Sequence, residues 1–239
     1  MYTEAHRLLL TYIRSVRYIE SSHLLRSFAF ILEQLEITDR PSKDLLDHYI
    51  ADINLKISPQ SFKVERKNHE LTGDLYYIFI NTLSDDIIME SSIYSTPELT
   101  AIKLIIHGIV EAENYHYYIS KSGAESIISS NTSKTLQDSA VMVDRLIDDG
   151  WFTSTLDSSL LLSIRTLCEL KQYLIETYGV DNNSKVLLCP QCKEIVTIGW
   201  LTPSEESFHR KCYDVYCRTN RIDADESQLV RIGPEPSTL

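Results

Sequence analysis

The first part of the chain carries apolar residues at the spacing of amphipathic helices. Three apolar stripes recur every three or four positions, and each predicts a helix with one buried face. Their members are Leu8, Leu9, Tyr12, Ile13 and Val16, then Leu24, Leu25, Phe28, Ile31, Leu32 and Leu35, and then Leu45, Leu46, Tyr49, Ile50, Ile53 and Ile57. Ser42 stands where it can cap the third helix, and Pro59 stops that helix.

A different periodicity follows the third helix. Phe62 and Val64 alternate with polar neighbours, whereas Leu75 to Ile80 is apolar on both faces. The polar stretch from Arg66 to Asp74 lies between them, so we expect a hairpin whose turn is that stretch. Three helices followed by a hairpin is the order of a winged helix, in which the hairpin is the wing. Since a small wing rarely has core on both faces, we expect one face of the second strand to contact a partner.

The same order of elements is predicted a second time after a polar break at Ser84–Asp86. The predicted elements are a helix that begins with Thr96 as cap and Pro97 at N1, a short strand at Tyr115–Ile119, a short helix at Gly123–Ile128, a third helix that ends at Asp149–Gly150, and a hairpin of Trp151–Ser154 and Leu160–Ser163. One closing helix, with apolar residues from Leu167 to Tyr178, then leads to the polar residues 181–184.

Four side chains that can bind a metal are grouped near the end of the chain. Cys189 and Cys192 have the spacing Cys-x-x-Cys, and His209 and Cys212 repeat it as His-x-x-Cys. Side chains at this spacing on a tight turn can hold one side of a tetrahedral Zn²⁺, and a second pair can close the other side. The pattern predicts one zinc ion per chain, against the alternative of a chance grouping of ordinary cysteines.

Composition narrows the classes of function. The chain has 239 residues, of which 43% are hydrophobic, so it can form more than one small core. It has no apolar run of about eighteen residues and no secretory-signal pattern at its start, so we expect an intracellular protein without membrane contact. In an intracellular protein, an odd number of cysteines, here five, favours metal binding over disulfides. The formal net charge of -11 opposes tight binding of duplex DNA by the chain alone.

Residues spread along the chain carry a family resemblance. They are Thr3–Arg7, Met142–Trp151, Glu169–Tyr178 and the two metal-binding pairs. In these stretches the chain resembles the first non-SMC element of the SMC-five/six genome-maintenance complex, whose members join two winged helices to a variant RING. The resemblance implies a heterotrimer with a MAGE-type winged-helix partner and a kleisin. It further implies association with the SMC heterodimer and DNA, a role in DNA repair and recombination, a nuclear, chromatin-associated location, and ubiquitin-ligase activity with an E2 enzyme.

The metal-binding pairs depart from the family pattern. A full variant RING has four pairs of ligands that hold two zinc ions; here Cys189 and Cys192 match the first pair, and His209 and Cys212 match the third. No cysteine or histidine lies between Cys192 and His209, and only Cys217 follows Cys212. This is the pattern of a half-RING with one zinc site. Because ligase activity in the family depends on the two-zinc surface, the sequence favours a scaffolding subunit, with a RING-type E3 ubiquitin ligase as the alternative.

The fourth ligand is a choice between His209 and Cys217. Cys217 must reach back across four residues of chain, although a thiolate binds Zn²⁺ well. His209 has the shorter spacing to Cys212 and stands at the position of the family's histidine, so it is the preferred ligand.

The predicted fold class is mainly α with small β wings. Two tandem winged-helix domains occupy residues 1–83 and 84–165, a linking helix occupies 166–180, and the zinc-binding half-RING with a polar tail occupies 181–239. Among the remaining residues, we expect Cys168 to be a small buried hydrophobe and Trp151 to pack under the wing. Arg66 and Lys67 are expected at a solvated hairpin tip rather than on a phosphate backbone.

Overall fold

The computed structural model describes residues 2–82, 94–180, 185–222 and 226–235. The polar stretches predicted at Ser84–Asp86 and 181–184, and the beginning of the polar tail at 223–225, lie outside the described residues. Contacts within the chain divide it into two units, Met1–Leu83 and Ser84–Leu239. The predicted domain boundary at residue 83 coincides with this division, whereas the boundaries predicted at 165 and 180 stay predictions. The described chain has no helix long and apolar enough to cross a membrane.

The first unit has the predicted order of three helices and a hairpin. Its elements are α1 (Glu4–Val16), β1 (Tyr18–Glu20), α2 (Ser21–Gln34), α3 (Lys43–Ile57), β2 (Phe62–Asn68) and β3 (Leu75–Asn81). The three strands form an antiparallel sheet with β3 in the centre. The Ser42 side chain accepts a hydrogen bond from the backbone N–H of Leu45, as expected for the cap of α3. Leu9, Phe28 and Leu46 are fully buried between the helices.

The hairpin of the first unit is longer than the sequence pattern predicts. The structure continues β2 to Asn68, which pairs with Leu75, so the turn is shorter than the predicted Arg66–Asp74. The predicted solvated tip is also wrong, because Lys67 is buried and Arg66 forms an ion pair with Asp47 of α3. The polar residues at the end of β2 led to the prediction of a turn. They belong to the strand because β2 lies at the edge of the sheet, where charged side chains are tolerated.

Both faces of β3 carry buried side chains. Tyr77 and Ile78 point to opposite faces of the sheet, and both side chains have an exposed fraction of 0%. Ile80 is also buried. Leu75, Tyr76 and Phe79 are half-buried, and the expectation that one face of this strand contacts a partner stays a prediction.

The second unit repeats the order and adds a segment after it. Its elements are α4 (Thr96–Val110), β4 (Ile119–Ser120), α5 (Lys121–Asn131), α6 (Leu136–Asp148), β5 (Phe152–Ser154), β6 (Ser159–Leu162), α7 (Ile164–Glu169), α8 (Lys171–Tyr178), β7 (Gly199–Leu201), β8 (Ser207–Phe208), α9 (Arg210–Asn220) and β9 (Val230–Ile232). Two antiparallel three-stranded sheets have the orders β4-β6-β5 and β8-β7-β9. As predicted, α6 stops before Gly150, whose φ of 77° is a conformation that glycine accepts readily.

Three predicted elements of the second unit differ from the structure. The cap of α4 is Ser95 rather than Thr96, because Ser95 and Glu98 form a capping box. The predicted strand Tyr115–Ile119 is mostly a tight connection, and only its last residue belongs to β4. The single closing helix is two helices, α7 and α8, because Leu170 between them has a non-helical ψ of 13°. Apolar periodicity continues across this break, so it could not reveal it.

A continuous apolar core runs through the second unit. From the helices and strands up to α8, it includes Ile106, Leu160 and Leu174. From the segment after α8 it includes Val196 and Phe208. The segment that carries the candidate metal ligands therefore packs on the helices and strands before it.

Candidate metal centre

The first pair of candidate ligands lies on a tight turn. Leu188 and Ile195 form an isolated antiparallel bridge that brings the two ends of this turn together. Inside the bridge, the Cys189 N–H donates to the Glu194 carbonyl at 2.9 Å, and the Lys193 N–H donates to the Cys189 carbonyl at 2.8 Å. Lys193 has a φ of 62°, the left-handed value that closes the turn. The turn directs the sulfur atoms of Cys189 and Cys192 to the same side.

The second pair of candidate ligands lies at the start of α9. His209 follows β8 directly and is the N-cap residue of α9, and Cys212 lies in the first turn of that helix. The His209 carbonyl accepts a hydrogen bond from the Tyr213 N–H at 2.9 Å, which is the first helical bond of this turn. His209 is buried and Cys212 is half-buried. One strand-to-helix junction thus presents both side chains to the turn that carries the first pair.

The four side chains form one group whose ligand atoms all lie within 4.8 Å of one another. The His209 Nδ1 atom is 3.4 Å from the Cys192 Sγ atom and 3.9 Å from the Cys212 Sγ atom. In a tetrahedral zinc site, ordinary bond lengths place such nitrogen and sulfur atoms about 3.6 Å apart. Three sulfur ligands and one imidazole nitrogen at these separations can hold a metal ion.

The histidine has a partner that fixes its tautomer. Its Nε2 atom lies 3.0 Å from the carbonyl oxygen of Ile195. A carbonyl oxygen can only accept, so Nε2 carries the proton and the lone pair of Nδ1 points toward the cysteines. Ring nitrogens that bind metals commonly have such an outer partner, which orients the ring. Ile195 lies next to the first turn, so this hydrogen bond joins the two halves of the group.

Hydrogen bonding favours the ionised form of Cys189. The pKa of its thiol is lowered to about 3, first because the Cys192 thiol donates a hydrogen bond to its sulfur. Backbone N–H groups of Cys192 and His209 donate to the same sulfur and act in the same direction. The same contact with Cys189 raises the pKa of Cys192. A thiolate is the form that binds metal ions, so the chemistry of this donor set fits a cation.

The other cysteines lie elsewhere. Cys217 is buried in the apolar core of the second unit and is outside the group of four. Cys168 in α7 is half-buried, which corrects its prediction as a buried residue. Trp151 is buried directly before β5, in agreement with its predicted place under the wing. Cys217 lies more than one turn beyond Cys212 in α9, which places its side chain away from the group of four, and the choice of His209 as fourth ligand stays a prediction.

Sequence reasoning missed the residues that attach the first turn to the rest of the unit. The Lys171 ammonium donates to the Lys193 carbonyl at 3.0 Å and to the Glu194 carboxylate at 2.8 Å. The Tyr117 hydroxyl donates to the Lys185 carbonyl at 2.6 Å. Backbone carbonyls carry no sequence signal, so spacing alone could not find these contacts.

Fold and site together define a class of protein. It is a mainly helical chain in which the order of three helices and a hairpin occurs twice before a group of three cysteines and one histidine. Residues 6–170 match the profile of the family described as the Nse1 non-SMC component of the SMC5-6 complex. This match covers more than half of the chain, so the chain belongs to the Nse1 family. The match ends before the metal centre, which rests on its own geometry.

Two further comparisons agree with this assignment. Non-structural maintenance of chromosomes element 1 of Schizosaccharomyces pombe is 22% identical over 182 residues, which is 75% of this chain and 75% of the relative. A chain in the solved structure of an Nse1-Nse3-Nse4 complex superposes with a TM-score of 0.79 at 18% identity. The superposition covers 91% of this chain and 92% of the solved one. The predicted family and fold class are confirmed.

Proposed function

We propose that the chain is a scaffolding subunit of an SMC5-6 complex and binds Nse3 and Nse4, in the places of the MAGE-type partner and the kleisin. The observation that carries the proposal is family membership over residues 6–170, together with a fold shared with a chain of an Nse1-Nse3-Nse4 complex. Through these partners the subunit contacts the SMC heterodimer and DNA. Its work belongs to DNA repair and recombination on chromatin in the nucleus.

The exposed surface of α6 supports contact with protein rather than with DNA. This is the third helix of the second unit, the element that reads DNA in many winged helices. Its exposed residues include Asp148, whose carboxylate repels phosphates, and Asp144, which pairs with Lys121. Leu136 and Val141 in the same helix are 61% and 65% exposed. Apolar side chains at such exposure suit a protein interface better than a phosphate backbone.

Reconstitution tests this role. The chain is expected to co-elute in size-exclusion chromatography with Nse3 and Nse4 from the same organism as a stable trimer. Val141→Arg is expected to weaken the trimer at least tenfold, because it places a charge in the proposed interface. Leu55→Arg is the matched control, since Leu55 is 74% exposed in the equivalent helix α3. Failure of the unmodified chain to bind either protein would contradict the proposal, and an equal effect of both variants would remove α6 from it.

The metal in the proposed function is one structural zinc ion held by Cys189, Cys192, His209 and Cys212. Four protein ligands fill a tetrahedral site, which is the usual arrangement of a structural rather than a catalytic zinc. Elemental analysis of the purified chain is expected to give one zinc per chain. His209→Ala should lose the metal, whereas Cys217→Ser should keep it. Retention in His209→Ala with loss in Cys217→Ser would reverse the assignment.

In this function, the half-RING takes part in binding and does not catalyse ubiquitin transfer. A ubiquitin-discharge assay with a panel of E2 enzymes, with and without Nse3, distinguishes the two. We expect discharge at the rate of the E2 enzyme alone, because the sequence holds only one of the two sets of zinc ligands. Stimulation that depends on Cys189 would establish the alternative, a RING-type E3 ligase.

A further inference from the structure

The connection between α4 and β4 has an unusual backbone. Asn114, Tyr115 and Tyr117 have φ angles of 54°, 56° and 50°. Residues with side chains adopt this left-handed region at a cost in free energy, and such conformations persist only where the surroundings hold them. Three of them lie within four consecutive residues of one connection. The conformation of this connection therefore depends on the contacts that it makes.

Contacts from the metal-binding segment hold this connection. The Gly233 N–H, directly after β9, donates to the Tyr115 carbonyl at 2.9 Å. The Tyr117 side chain is buried and its hydroxyl donates to the Lys185 carbonyl at 2.6 Å. Both bonds join the winged-helix part of the second unit to the chain after α8. If the segment unfolded, both bonds would be lost and the connection could relax to a less strained conformation.

A second set of contacts joins the metal-binding turn itself to α8, the helix directly before the segment. Lys171 at the start of α8 binds the Lys193 carbonyl and the Glu194 carboxylate. Lys193 and Glu194 follow Cys192 directly, so any movement of the turn that holds the metal moves them. Cys189 is itself a fully buried member of the apolar core that the two parts share. The ligands, the turn and the core thus form one connected structure.

We propose that zinc at this site stabilises the second winged helix as well as the segment that binds it, so that the two parts unfold together when the metal is removed. The proposal rests on the zinc site proposed above. Metal binding free energy is folding free energy wherever the bound conformation is otherwise lost. Because β4 directly follows the strained connection and pairs with β6, loss of the segment would reach the sheet of the second winged helix.

The two tryptophans of the chain allow a direct test. Trp151 lies in the winged-helix part and Trp200 in β7 of the metal-binding segment. In a Trp200→Phe chain, fluorescence therefore reports the winged-helix part alone. Addition of a zinc chelator is expected to shift Trp151 emission to the red and to remove hydrogen-exchange protection from β4 and β6. Cys189→Ser in this background should behave like the chelated chain, and Cys168→Ser should behave like the unmodified one.

Tyr117→Phe measures the coupling without touching a ligand. The ring keeps its place in the core, but the bond to the Lys185 carbonyl is lost. In the zinc-loaded state, we expect the Trp151 fluorescence of Tyr117→Phe to change at a lower denaturant concentration than that of the chain with Tyr117. After chelation, we expect the two chains to have the same midpoint. A chain with all four ligands that takes up no zinc would overturn the metal assignment and the coupling together. Zinc uptake followed by chelation that exposes residues 185–232 while Trp151 and β6 stay protected would overturn the coupling alone.

Discussion

The two units share an order of elements but hold their hairpins differently. In the first unit, β2 and β3 are seven residues each, and the Asn54 side chain of α3 bonds to both the N–H and the carbonyl of Val64. In the second unit, β5 has three residues and β6 has four. A short ladder supplies few hydrogen bonds, so the second hairpin needs support from outside it.

That support comes from α7, the helix after the second hairpin. The Arg165 side chain is buried, forms an ion pair with Glu169 at 2.8 Å and donates to the Asp149 carbonyl at 2.6 Å. Its guanidinium also lies 4.5 Å from the centre of the Trp151 ring. In the first unit, the side-chain contacts with the hairpin come from α3, the helix before it. In the second unit, they come from α7, the helix after it. Two units with the same order of helices and strands can therefore differ in how far their hairpins depend on other elements for stability.

The largest expected effect comes from breaking the buried ion pair. Glu169→Ala leaves the Arg165 charge buried without its partner, so we expect a loss of about 3–5 kcal/mol in the free energy of unfolding of the second unit. Because both tryptophans lie in this unit, denaturation followed by tryptophan fluorescence measures it alone.

Two controls sharpen this experiment. Asp144→Ala removes an exposed pair with Lys121 and should cost about 0–1 kcal/mol. The double variant Arg165→Met, Glu169→Leu is expected to recover part of the loss, since an apolar pair leaves no buried charge. If Glu169→Ala cost no more than Asp144→Ala, the ion pair would not be what supports the second hairpin.

A smaller effect is expected in the first unit. Asn54→Ala removes both bonds to Val64 and leaves a half-buried N–H and carbonyl unpaired, at a cost of about 1–3 kcal/mol. Hydrogen exchange of the β2 and β3 amides measures it, and the tryptophan transition of the second unit should not change. The exposed Asn131, whose side chain donates to the Ile127 carbonyl, is the matched control for replacement by alanine. A shift of the tryptophan transition in Asn54→Ala would show that the units are not independent.

The smallest effect is a pH dependence confined to the first unit. His6 is buried against Tyr49, and burial lowers its pKa, although Asp52 opposes this. The unfolded chain therefore binds a proton more readily than the folded one. Stability from this residue is present above the ordinary histidine pKa of about 6.5 and is lost as the pH falls below it.

Exchange of α1 amides from pH 7.5 to 5 measures this dependence. His6→Gln is expected to reduce it, because a glutamine at this position can still accept from the Thr3 N–H and does not titrate. An unchanged pH dependence in His6→Gln would assign it to other groups.

Much of this protein follows from its sequence alone. Apolar periodicity and the signals at Ser42, Pro59 and Gly150 predict the helices and where they end, because both are local properties of the chain. The spacing of Cys189 and Cys192 likewise predicts a metal-binding turn. Residue type failed at Lys67 and at Tyr115, where a strand carries charge and a connection carries aromatic side chains.

Tertiary structure decided the rest. It places Cys217 outside the group of four because α9 carries this residue into the core, and it buries Tyr77 and Ile78 on opposite faces of β3. It also joins the segment that carries the four candidate ligands to the connection before β4 through the Tyr117 hydroxyl, and to α8 through the Lys171 ammonium. The acceptors in these contacts are backbone carbonyls, which every residue has. A pattern of residue types therefore cannot predict them. Only the folded chain brings a particular donor to a particular carbonyl.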